Sequence, residues 1–188
     1  MKRIGLAGEN PNDGNAIKNL LVKCGFRHVY KIVGKNIRGN QLDTPKFKKI
    51  LKAELSSNNL DALVLIRDLD SVKNDKVKIK ARFSWADTIA IEISPTKFFF
   101  LLNIAMLESL ILADVDCFNK IYNANVTFKG NPEMEPNPKN KLFEGTSKLK
   151  KRYSENDADK IFSRLDVNKL KEKNESFRNF LTELKNYQ

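Results

Sequence analysis

Short apolar runs alternate with amphipathic stretches over the first two-thirds of the chain. Ile4-Gly5-Leu6-Ala7-Gly8 and Leu63-Val64-Leu65-Ile66 are apolar at consecutive positions and bounded by turn-type residues, the pattern of strands buried on both faces. They predict strands over about Lys2 to Glu9 and Leu60 to Arg67, with further strands at His28 to Val33 and Phe98 to Ile104. After the first strand, Ala16, Ile17, Leu20, Leu21 and Cys24 recur at helical spacing, predicting a helix from Gly14 to Cys24 that Gly25 stops. Asp43-Thr44-Pro45 opens a second helix, with proline at the first helical position and Phe47, Ile50, Leu51 and Leu55 on one face. Val77 to Ile93 reads two ways. Thr88 to Ile93 alternates as a strand does, whereas Phe83, Ala86, Ile89, Ala90 and Ile93 fit a helix, and the helix preserves the alternation that Phe98 to Ile104 continues. Ala105 to Leu112 extends as a helix and breaks at Asp114-Val115-Asp116, where another begins.

Alternating strands and helices predict an α/β fold: a mostly parallel sheet of about four strands flanked by helices. Asn131 to Pro138 holds three prolines in eight residues and marks an expected boundary. It divides an α/β domain, 1–130, from a Lys-rich helical extension, 131–188, packed on it. In that extension Ser154-Glu155-Asn156-Asp157 reads as a capped helix start, and Phe177, Phe180, Leu181 and Leu184 form the apolar stripe of a last helix.

Charge changes the picture. The 188 residues carry a formal net charge of +11, a surplus that draws a protein to phosphate backbones. The rival reading is a uniformly lysine-coated surface. Lys139, Lys141, Lys148, Lys150, Lys151 and Arg152 cluster beyond the prolines with Tyr153 beside them, placed to track a backbone and to stack on a base. Lys46, Lys48, Lys49 and Lys52 make a second basic face. Cys24 and Cys117 are too far apart to form a metal motif, and His28 is the sole histidine, which excludes a histidine-based metal site or triad. Met1-Lys2-Arg3 leads into a strand without a signal-peptide core, and Phe98 to Ala113 is too short and too interrupted to span a bilayer. A cytoplasmic protein with no membrane association is expected.

The chemistry-bearing residues sit at predicted strand ends. Glu9 and Asp13 follow the first strand, and Asp68-Leu69-Asp70 follows the third. Parallel sheets gather functional groups at the carboxyl ends of their strands. Carboxylates so assembled repel one another unless a cation neutralises them, and hard oxygen donors suit Mg²⁺ or Mn²⁺. If the strand continues through Asp68 and Asp70, their side chains point the same way, roughly 6.6 Å apart. Asp13 equally suits the cap of the helix expected from Gly14. Glu108, in an apolar run, needs a cation, a basic partner such as Arg67, or solvent. Arg67 in turn suits a substrate phosphate.

The chain resembles the TOPRIM superfamily of topoisomerases, primases and overcoming-lysogenization-defect nucleases. More narrowly, it resembles stand-alone TOPRIM-like proteins of bacterial phage-defence loci, often encoded beside an AAA- or ABC-type ATPase. The matching stretches are Gly8-Glu9 with Asp13, Arg67-Asp68-Leu69-Asp70-Ser71, the run from Leu102 to Asp114, and Asn137-Pro138-Lys139 followed by Thr146, Lys148 and Tyr153. Asn10 after Glu9, and Ser109-Leu110 after Glu108, depart from the superfamily pattern. The resemblance implies a Mg²⁺- or Mn²⁺-dependent nuclease in antiviral defence, working with a separate ATPase subunit. Glu9, Asp68 and Asp70 would be catalytic; Glu9, Asp13, Asp68, Asp70 and Glu108 would hold metal. Nucleic acid would meet Arg67, Lys139, Lys148, Lys150, Lys151 and Arg152, and homo-oligomers are compatible with this. The alternative is a non-catalytic subunit that binds nucleic acid or the ATPase and keeps a vestigial acidic site.

Overall fold

In a computed structural model, which describes residues 1–37 and 39–187, the chain is an α/β protein built on a four-stranded, all-parallel sheet. The strands are β1 (Arg3–Ala7), β2 (Val29–Ile32), β3 (Ala62–Asp68) and β4 (Lys97–Asn103), in the spatial order β2-β1-β3-β4. Ile4 lies beside Ala62, and Asp68 beside Asn103. The central strands are buried on both faces, and the side-chain period of two divides β3 cleanly. Ala62, Val64 and Ile66 enter one apolar layer, while Leu63 and Leu65 enter the other.

The second layer is covered by α2 (Pro45–Ser57) and α3 (Lys76–Glu92), through Phe47, Leu51, Leu55 and Ile89. The segment Val77 to Ile93 is therefore helical, as alternation favoured. The first layer is covered by α1 (Pro11–Lys23), α4 (Ser109–Ala113), α5 (Val115–Tyr122), α6 (Pro138–Thr146), α7 (Ala158–Phe162), α8 (Val167–Lys173) and α9 (Glu175–Lys185). One continuous apolar cluster joins Ile4, Leu6, Ile17 and Leu101 to Leu142, Ile161, Phe162, Phe177 and Leu181. The segment beyond the prolines thus shares its core with the sheet. The proline-rich stretch itself makes a 3-10 turn, Pro132–Met134, and buries Glu133, which accepts the Ser176 N–H at 2.8 Å and lies 3.4 Å from Lys73 Nζ. Among the described residues no helix is long and apolar enough to cross a membrane.

Three local expectations are corrected. Helix α1 begins at Pro11, because Asn10 caps it: the Asn10 side chain accepts the Asn12 N–H at 3.0 Å, and Asp13, at the third helical position, reaches back to the Asn10 N–H at 2.9 Å. The helix expected from Ala105 begins only at Ser109, since Ala105 takes a left-handed φ of 60° and turns the chain. Strand β3 ends at Asp68, because Asp70 is also left-handed, at φ 52°; the alternation assumed for Asp68 and Asp70 therefore fails. These two turns lock together: Asp70 N–H donates to Ala105 O, and Ala105 N–H to Ser71 O, each at 2.8 Å.

Candidate metal centre

Between β1 and β3 the sheet has its topological switch point. The chain leaves β1 toward β2 on one side and leaves β3 toward β4 on the other, opening a crevice at the carboxyl ends of the two strands. Glu9 stands two residues beyond β1, and Asp68 closes β3. They meet: the Asp68 N–H donates to Glu9 Oε1 at 3.3 Å. A single cavity there is lined by Glu9, Asp13, Asp68, Asp70 and Glu108, the whole set of candidate ligands, together with Asn10, Asn12, Lys139, Tyr153 and Glu155. Helix α1 brings Asp13, the turn before α4 brings Glu108, and the left-handed turn after β3 brings Asp70 to the cavity wall.

The electrostatics of the cavity are those of carboxylates taken out of water beside one another. Asp68 is held well above the usual carboxylate range, first by desolvation and then by the charges of Asp13 and Glu108; the hydrogen bond from Asn103 Nδ2, at 3.0 Å, opposes this. Burial pushes Asp13 up to about 7 against the pull of the Asn10 N–H. Glu108 is raised by burial despite Lys139 and the Tyr153 hydroxyl, which donates to it at 3.0 Å. Burial also raises Glu9, although Arg67 works against it.

Each carboxylate also has a local partner. Arg67 Nε lies 2.9 Å from Glu9 Oε1, and Arg67 Nη2 donates to Asp43 Oδ2 at 3.1 Å. Arg82 Nη2 is 3.9 Å from Asp70 Oδ2. Among the described residues, no three His, Cys, Asp or Glu side chains are already disposed round one point as ligands of a single ion. The donor chemistry nonetheless fits a hard divalent cation: oxygen donors only, several of them desolvated, with too little positive charge to balance them. What the cavity offers is donors gathered within reach, without a closed shell.

Several expected roles are displaced. Arg67 is buried, with its guanidinium carbon 5.0 Å from the centre of the Trp85 ring and its charge spent on Glu9 and Asp43; it presents nothing to a substrate phosphate. It pairs with Glu9 rather than with Glu108, whose partner is Tyr153. Tyr153, buried against Phe118 and Phe143, cannot stack on a base. Lys139 belongs to the cavity, 2.7 Å from Glu155, and is the one basic side chain among its described lining residues. Lys148, Lys150, Lys151 and Arg152 are exposed on the turns between α6 and the Ser154 cap; Lys151 lies 3.7 Å from Asp157 and over the Tyr122 ring, and the other three make no ion pair among the described residues.

Sequence reasoning overlooked Asn103 and Glu155. Asn103 ends β4, so the rule that singled out Asp68 would have found it. Glu155 reads in sequence as a helix-start acid, and only the packing of α7 against α1 carries it to the cavity. Comparison with protein-family models, with curated proteins and with solved structures finds no match to this chain.

Proposed function

We propose that this protein is a Mg²⁺- or Mn²⁺-dependent phosphodiesterase acting on nucleic acid, a nuclease of the kind its TOPRIM resemblance implies. The observation that carries the reading is the convergence of the five candidate ligands on one cavity at the switch point, with four of them, Glu9, Asp13, Asp68 and Glu108, held above their ordinary protonation range chiefly by burial. Asp68 and Asp70 would hold the metal, with Asp13 and Glu108 as supporting donors. A bound divalent ion supplies Lewis acidity at a phosphoryl oxygen and a more acidic water. The chain's own residues supply the rest. Glu9, at the junction of the two strands, accepts the proton of the attacking water, and Arg67 keeps its carboxylate aligned. Asn103 orients Asp68 through its amide. Lys139 offers the cavity's positive charge to an entering phosphate. The exposed lysines of the α6–α7 connection extend that attraction along the backbone. An ATPase partner and an antiviral role remain part of the proposal through the resemblance alone.

The resting pairs, Glu9 with Arg67 and Asp70 with Arg82, favour the second reading, a vestigial site on a binding subunit. Calorimetric titration with Mn²⁺, together with cleavage assays on plasmid DNA and on RNA, separates the two. The expected result is Mn²⁺ binding that Asp68→Asn abolishes and nicking that is lost with it. Absence of Mn²⁺ binding by the intact chain, or cleavage that survives Asp68→Asn unchanged, overturns the nuclease reading.

A further inference from the structure

Helix α3 is apolar or small on both sides. Ala86 and Ile89 pack into the sheet layer, yet Val77 and Ile91 on the opposite side are 83% and 77% exposed, and Phe83 is 49% exposed. At 100° per residue Val77, Ser84 and Ile91 fall on one outward line, each seven residues from the next, with exposed Ala81 and Thr88 on one flank and exposed Lys80 and Asp87 on the other. Lys48 of α2 donates to Thr88, so α2 borders the first flank, while the Lys80–Asp87 flank is open. Neither Lys80 nor Asp87 makes an ion pair among the described residues. Two large apolar side chains left in solvent on one line, edged by unpaired charge of both signs, fit an interface.

From this we infer that α3 pairs antiparallel with α3 of a second copy of this chain, about a twofold axis at Ser84. The charges select this partner. A perpendicular twofold keeps each flank on its own side and reverses direction, so Lys80, four residues before Ser84, lies beside the partner copy's residue 87, three residues after it. Two symmetric Lys–Asp contacts form together. The same register sets Val77 against the second copy's residue 91, while the small Ser84 at the axis lets the helices approach. A parallel twofold would swap the flanks and set Lys80 and Asp87 beside the second copy's residues 81 and 88, leaving both charges unpaired. The inference is independent of the metal centre.

Sedimentation velocity of the intact chain over a concentration series tests it, with circular dichroism to verify each variant's fold. A monomer–dimer equilibrium is expected. Ile91→Asp abolishes the dimer, and Lys80→Asp weakens it by about tenfold, since two repulsive contacts replace two attractive ones. Adding Asp87→Lys to Lys80→Asp restores it, and Ser84→Cys forms an intermolecular disulfide on mild oxidation that the parent chain does not. A wild-type chain that stays monomeric throughout, as it would if a different protein covered this face, overturns the inference. So does a dimer indifferent to both Ile91→Asp and the charge exchange.

Discussion

Asp13 serves two ends that pull against each other. Its carboxylate closes the capping box of α1, where a negative charge is favoured, yet burial, reinforced by the neighbouring acids Glu9, Glu108 and Glu155, lifts its pKa from 3.8 to about 7. The consequence for stability has a definite sign. The folded chain keeps the Asp13 proton over a range in which the unfolded chain has lost it, so stability falls as pH rises from about 4 to 7, and Asp68 and Glu108 add in the same direction. In chelator, the melting temperature should therefore decline between pH 5 and pH 7.5. Asp13→Asn, which retains an acceptor for the Asn10 N–H, should flatten the decline and stabilise the metal-free chain at pH 7.5 by on the order of 2 kcal/mol. Mn²⁺ at pH 7.5 should recover the loss in the parent chain. A melting profile that stays level in chelator, or that Asp13→Asn leaves as steep, would contradict this account of the cluster.

At the scale of elements, the cavity depends on how tightly β1 hands over to α1. A methyl on Gly8 would lie 2.8 Å from Asp13 Cβ and 3.0 Å from its Oδ2, a clash with an atom tied to the helix backbone. Gly8→Ala should cost roughly 1–3 kcal/mol and, on the proposed function, weaken Mn²⁺ binding about tenfold by displacing Asp13. Gly14→Ala is the control: its added methyl meets the end of the Ile32 side chain, which can move, so Mn²⁺ binding should survive. Equal losses in calorimetry would show that Gly8 acts only through α1 stability. This junction also shows what a sequence displays and what it hides. Glu9 and Asp68 were legible because unbroken apolar runs announce buried parallel strands, and the strand ends of such sheets come together. Helices α2 and α3 were legible from Pro45 and from the alternation of elements. Asp70 and Ala105 were not, since a left-handed turn at a residue other than glycine is imposed by the paired loops after β3 and β4, which lie far apart in sequence. Arg67 and Tyr153 were misread for a related reason. Their partners, Glu9 and Glu108, lie more than 40 positions away, so nothing local signals that their polar ends are taken up inside.

For the molecule as a whole, the net charge of +11 acts on any polyanion before the cavity does. Some of the cationic surface is already engaged: Lys169 is held by Asp114 and Asp116, Lys141 by Glu135, and Lys52 by Glu92. Lys148, Lys150 and Arg152 are exposed and unpaired among the described residues, and their turns run between Thr146 and Tyr153, close in sequence to Tyr153 and Glu155 of the cavity wall. If nucleic acid reaches the cavity across this connection, it releases counterions from the phosphates those side chains meet, and each contact steepens the salt dependence of binding by about 0.9 in the double-logarithmic slope for duplex DNA. Replacing all three with alanine should thus reduce the slope by about 2 to 3, with equal weakening on unrelated sequences, because backbone contacts carry no sequence information. Lys169→Ala, which removes the same charge from a site where it is already neutralised, should leave the slope unchanged. Binding measured in chelator by fluorescence anisotropy, on a duplex DNA and an RNA of equal length, decides the matter. A triple variant with the parent slope would move the approach of nucleic acid elsewhere, with the lysine face of α2 the next surface to test.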